Sequence, residues 1–194
     1  METSWIAGGV SAVLLILIYM AYAKAIRLRN QAMEALASID VQLRKRHDLI
    51  PNLLKMAQKY LDHERTLMES ITSLRTQAQS AYDRKDPKAV AQHLTIEGQL
   101  SATTGRLFNM VQEAYPDMKS SEIMLNTQQT FTEVEGHIAA ARRFYNASVT
   151  DLNNFTQIQP TGAIAAMAGV GAFPYFEETS QAVNDPVNVN DHMN

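Results

Sequence analysis

The residues here with chemistry for metal or acid–base work are five histidines and twenty carboxylates, and the 194-residue chain has no cysteine. His63-Glu64 opens like the zinc-hydrolase pattern HExxH, which sets two imidazoles one helical turn apart. Arg65, Thr66 and Leu67 follow, however, and no histidine closes the pattern. His47, His63, His93 and His137 lie on separate segments without ligand spacing. No serine sits in G-x-S-x-G, and no glycine loop precedes Lys-Ser or Lys-Thr. Glu133 and Glu135 are two positions apart and so face different sides of a helix. Neither a metal nor a cofactor is expected, and the chain does not read as an enzyme.

The denser constellations suit binding or structure instead. Arg142, Arg143, Phe144, Tyr145 and Asn146 are consecutive, with Tyr145 on an inward stripe. Buried Tyr and Asn need partners, so the cluster reads either as a network fixing helix register or as a partner contact. Asp48, Pro51 and Asn52 carry the same two readings. Arg44-Lys45-Arg46 is either a solvated or ion-paired face, or a patch for the acidic tail of a neighbouring subunit. By helix rise it stands about 30 Å beyond the bilayer edge, outside a Debye length of about 8 Å. Net charge is −3, which argues against nucleic acid as a partner. No Lys or Arg follows Arg143, so the end of the chain is acidic.

The elements that must position these residues begin with a membrane anchor. From Thr3 to Ala23 no side chain is charged, and Lys24, Arg27 and Arg29 follow at once. At about 1.5 Å per residue this run crosses a hydrocarbon layer of roughly 30 Å as a helix. Trp5 at one end and Tyr19 and Tyr22 at the other suit the headgroup level, while Leu14, Leu15 and Ile18 hold the interior. A cleaved signal would carry its basic residues before the apolar run, and here that order is inverted. The basic cluster after the span predicts an N-terminus outside and the remainder in the cytoplasm, at the cell's inner membrane.

Past the anchor, composition and spacing are helical. Leu28, Ala32, Ala35, Ile39 and Leu43 form an apolar stripe, resuming as Ile50, Leu53, Leu54, Ala57, Leu61, Leu67, Met68, Ile71, Leu74 and Ala78. Pro51, inside that pattern, predicts a kink or a break. Asp86-Pro87 has the form of an N-cap and first-turn proline, opening a helix that carries Val90, Leu94, Leu100, Leu107, Phe108 and Val111 inward. Tyr115-Pro116 ends it, and Ser120 or Ser121 caps the next. That helix carries Ile123, Thr127, Phe131, Val134, Ile138, Ala141, Tyr145, Leu152, Phe155 and Ile158 inward and closes at Pro160. The prediction is an all-α chain in which a transmembrane helix continues into an elongated antiparallel bundle of three long helices. Its parts are the anchor (1–23), the bundle (24–160), and a small-apolar segment with an acidic, flexible tail (161–194). In the last part Ala163, Met167, Gly169, Gly171, Phe173, Tyr175 and Phe176 are candidate oligomer contacts, because an exposed run of small apolar residues needs cover.

RNQAMEALASIDVQLRKRHDLIPNLLKMAQKYLDHE resembles the opening signature of the LemA family. QEAYPDMKSSEIMLNTQQTFTEVEGHIAAARRFYNASVTDLNNFTQ resembles its second block, and Phe173 to Glu177 its end. The resemblance runs to about Glu178. It departs from the family pattern in the Ala/Gly-rich stretch from Ala163 to Ala172, and the acidic tail lies outside it. It implies one N-terminal span of a bacterial inner membrane, a bundle of long antiparallel helices and no established catalytic activity. A related branch associated with membrane organelles implies membrane shaping or scaffolding, and association with membrane-bound zinc peptidases implies an adaptor role. The leading expectation is therefore a self-associating, non-enzymatic membrane scaffold whose partners are lipid and its own copies. The alternative is an accessory subunit of a membrane protease or signalling protein, contacted through Arg142, Arg143 and Tyr145.

Overall fold

A computed structural model describes residues 2–58, 64–114 and 122–177. Among them are five helices and no strand: α1 (Glu2–Gln58), α2 (Arg65–Ala78), α3 (Pro87–Ala114), α4 (Glu122–Gln157) and α5 (Thr161–Met167). An extended strap, residues 170–177, follows α5. Tyr115, Pro116, Ser120, Ser121, Leu61, His63 and the acidic tail lie outside the described residues.

α1 is 57 residues long and passes through Pro51 without interruption, so of the kink and the break expected there the break does not occur. Proline removes the amide that would bond the carbonyl four residues back. That carbonyl belongs to His47, and Arg75 Nε on α2 donates to it instead at 2.9 Å. The orphaned acceptor is thereby satisfied, and the proline is tolerated. The stripe from Ile50 to Ala78 also belongs to two helices rather than one. It ends α1 with Ile50, Leu53 and Ala57, and α2 takes over with Met68, Ile71 and Ala78. Asp86 caps α3 as expected, its carboxylate accepting the Lys88 amide at 3.0 Å.

The contacts give an up-down arrangement. Lys24 and Arg46 on α1 meet Phe155 and Glu135 on α4, so these two run antiparallel. Asp40 and Arg46 meet His93 and Glu97, so α3 rises with α1. Two apolar cores result. The lower holds Ala32, Leu36, Ile39 and Leu43 against Val134, Ile138, Tyr145 and Leu152, with Phe173 and Phe176 of the strap. The upper holds Ile50, Leu53, Ile71, Leu100, Leu107 and Val111. Each Leu or Ile buried there contributes about 1.5–3 kcal/mol. One inward expectation fails: Ile158, at the foot of α4, is 60% exposed.

Below the bundle, α1 stands free. Trp5, Leu14, Leu15, Ile18, Tyr19 and Tyr22 are all exposed, and no residue of the most apolar window is buried. Among the described residues this is the helix long and apolar enough to cross a membrane. Ala25 is the first fully buried residue.

Candidate functional site

The interruption between the two cores is polar. Arg46 and His47 stand on the α1 stripe between Leu43 and Ile50, and Glu97 stands on α3 between Leu94 and Leu100. Arg46 is 1% exposed and Glu97 fully buried. The Arg46 guanidinium donates to the Glu97 carboxylate at 2.5 Å and to the Glu97 carbonyl at 3.0 Å. Its second arm reaches Glu135 on α4 at 3.3 Å. His47 Nε2 lies 3.2 Å from Glu97 Oε2 and 3.0 Å from Oε1. Burial on its own would raise the Glu97 carboxyl, but the His47 hydrogen bond and the Arg46 charge outweigh it and hold the group below the ordinary carboxylate range.

A cleft of about 730 Å³ opens beside this hub, between α1, α3 and the α2–α3 turn. On its rim Asp40 accepts from the Tyr82 hydroxyl at 3.0 Å and from Arg84 Nε at 2.7 Å. His93 stacks on Tyr82, ring centroids 4.0 Å apart, and its Nε2 lies 3.8 Å from both Asp40 Oδ1 and Glu97 Oε1. Burial lowers the His93 pKa, and the attraction of Glu97 and Asp40 only partly offsets it. The Tyr82 hydroxyl is pushed upward by burial and by Asp40.

As chemistry, the hub is a fixed ion pair and the rim a place where a proton on His93 is disfavoured. Ser80 lines the cleft, but its hydroxyl donates to the Thr76 carbonyl rather than to an imidazole. Asp40, His47, His93 and Glu97 are the residues nearest to a ligand set. A first-row metal needs donors at about 2.0–2.2 Å. Glu97 already carries the Arg46 cation, and no group of three or more ligating side chains forms among the described residues.

A second polar system holds the strap to α4. The Asn153 side-chain amide donates to the Phe173 carbonyl at 2.9 Å and accepts its N–H at 2.8 Å. Asn146 does the same for Phe176, at 3.0 and 2.9 Å. The Tyr145 hydroxyl donates to the Pro174 carbonyl at 2.8 Å, and burial pushes that phenol upward. The geometry closes because seven helical residues rise about 10.5 Å and three extended ones about 10 Å. Each asparagine thus supplies one backbone-like donor and acceptor to a strap that has no sheet to join.

The predicted residues sort accordingly. Tyr145 and Asn146 face the strap, so two candidate clusters of one chain meet each other. Arg142 lies over the Phe176 ring at 5.9 Å, and Arg143 is exposed. Phe173 and Phe176 are core residues, 5% and 6% exposed. Ala163, Met167, Gly169, Gly171 and Tyr175 remain exposed, Gly169 with φ +65, a conformation that favours glycine. Asp48 rims the cleft, and Asn52 is exposed beside half-buried Pro51. Arg44 and Lys45 are exposed, while Arg46 is interior. His47 and His93, separate in sequence, converge on Glu97. The signal for the hub was a charged residue at an apolar-stripe position: 46 and 47 between 43 and 50, and 97 between 94 and 100.

The family model of the LemA family matches residues 35–190. It covers the hub, the cleft and the strap, starts beyond the apolar part of α1, and extends past Glu178 into the acidic tail that had been placed outside the resemblance. Comparison with curated proteins finds no match.

Proposed function

This chain belongs to the LemA family, and from that premise we propose that it is a membrane-anchored, non-enzymatic scaffold presenting its bundle on the cytoplasmic side and associating with its own copies. The observation carrying the reading is the continuity of α1. One unbroken helix runs from the exposed apolar segment, Trp5 to Tyr22, into the core at Ala25, Ala32 and Leu36. Such a helix fixes the bundle's distance from the bilayer and its orientation, as a presenting platform requires. The hub fits the same reading, since its buried charges are spent on one another. Exposed apolar side chains remain for neighbours, among them Phe144 at 61%, beside Arg143.

The test is the mass of the full-length protein in mild detergent, beside Phe144→Glu. Truncation before the strap would remove core residues and is no fair comparison. A defined particle several times the 21.6 kDa chain, lightened by Phe144→Glu, is the expected result. A single-chain particle would overturn self-association. Exposed Phe144 then favours the accessory-subunit reading, in which Phe144→Glu loses a membrane-protein partner and leaves the mass unchanged.

A further inference from the structure

We propose that the corner where α4 turns into α5 is a second membrane contact, seated at the headgroup level of the bilayer that α1 enters. The inference rests on the anchor reading and goes beyond it, because it gives the bundle itself a lipid-facing surface.

Height comes first. Tyr22 is exposed, and Ala25, three positions on, is fully buried. Three residues of helix rise only about 4.5 Å, so the bundle begins at the membrane surface with no spacer. Lys24 is the first charge after the span, and its Nζ lies 5.6 Å from the centre of the Phe155 ring on α4. Phe155 therefore shares the level of Lys24. α4 descends toward the membrane, and Ile158 lies about 4.5 Å lower again.

Chemistry agrees with height. Between Asp151 and Glu177 no residue is charged, and this stretch contains the whole corner, α5 and most of the strap. Ile158 is 60% exposed and Met167 84%, more than Trp5 of the span at 81%. No charge at the corner opposes a seat at the headgroup level. The same turn suits an interface that takes apolar side chains to a depth of about 5–10 Å. Gln157, Gln159 and Thr161 beside them supply polar groups for the headgroups. The occupant follows from continuity: the surface adjoins the span, and the bilayer around the span is already there.

The chain has no cysteine, so single ones are unambiguous labels. Met167→Cys and Ile158→Cys, each carrying an environment-sensitive fluorophore, are compared with Leu15→Cys in the span and Phe144→Cys higher on α4. Full-length protein is placed in phosphatidylcholine–phosphatidylglycerol vesicles, with nitroxide lipids quenching from the bilayer and iodide from water. The expected result is quenching by lipid severalfold stronger at 158 and 167 than at 144, with protection from iodide. If 158 and 167 match 144 while 15 is quenched by lipid, the inference is overturned and the anchor stands. If 15 also escapes lipid quenching, the anchor reading falls and this one with it. Protection from both quenchers at 158 and 167 would mean that a second copy covers the corner, which also overturns it.

Discussion

Arg46, His47 and Glu97 fasten α1 to α3 with ionic groups, whereas Asn146, Asn153 and Tyr145 fasten the strap to α4 with neutral amides and a phenol. Both systems are buried, and both join segments distant in sequence: Arg46 and Glu97 are 51 positions apart, Asn146 and Phe176 30. They differ in what happens when one member is lost. Removing the Glu97 carboxylate from the hub leaves a buried guanidinium, which has no neutral form to retreat to, with only its longer carboxylate contact, to Glu135. An amide removed from the ladder strands one N–H and one C=O, and these regain water if the strap lifts. The hub therefore belongs to the bundle's cooperative unit, while the ladder holds an element able to open locally.

The largest effect is expected from Glu97→Ala, at about 3–5 kcal/mol of stability, because the buried Arg46 charge keeps only its longer carboxylate contact, to part-exposed Glu135. Thermal unfolding followed by circular dichroism measures it. Replacing Arg46 and Glu97 together, by Met and Leu, should cost clearly less than the two single changes added. Additive losses would show that the pair is not acting as one unit.

Asn153→Ala comes next, at about 2–3 kcal/mol, since it orphans both backbone groups of buried Phe173. Hydrogen exchange should show the strap's amides losing protection while those of Ala32 and Leu36 keep theirs. Uniform loss would make the strap part of the same cooperative unit as the hub. Tyr145→Phe removes a single hydrogen bond to Pro174 and should cost about 1 kcal/mol.

Acidity should separate the two systems most cleanly, with the smallest free-energy change. His93 has a lowered pKa, so as pH falls through the histidine range the unfolded chain takes up a proton that the folded chain refuses. Stability should therefore decline between about pH 7 and pH 5. Glu97 is lowered too, so its contribution is present above the ordinary carboxylate pKa and disappears only as pH falls through the depressed folded value, in stronger acid. Urea midpoints measured across this range should drop less in His93→Gln, while strap exchange rates, corrected for intrinsic chemistry, stay level. The ladder's groups do not titrate there. A strap that loosened in step with the hub would break the distinction.

Much of the fold was legible because helical periodicity is local. Ile39, Leu43, Leu100, Val134 and Leu152 could be placed inward from spacing alone. Kink or break at Pro51 was left open by the sequence because the partner that satisfies the freed carbonyl, Arg75, makes no local pattern. Ile158 was misplaced because its stripe continued past the end of the core it served. The hub was invisible as a site since its histidines show no ligand spacing, although charges on apolar stripes had marked its positions. Tyr145 and Asn146 find their partners in strap carbonyls and amides, which carry no side-chain signature. Nothing in the residue types distinguished Phe173 and Phe176, now in the core, from exposed Met167 and Tyr175.

On the anchor reading proposed above, the unbroken passage of α1 through Pro51 also makes the molecule a lever. The apolar stretch of roughly 19 residues is about 28 Å long, so a thinner bilayer obliges it to lean. From Ala23 to Gln58 the same rod extends about 52 Å beyond the span. A lean of about 20°, ordinary for a membrane helix, would carry its far end sideways by about 18 Å. With the α4–α5 corner resting on the lipid as a fulcrum, bilayer thickness would be converted into lateral displacement at the top of the bundle.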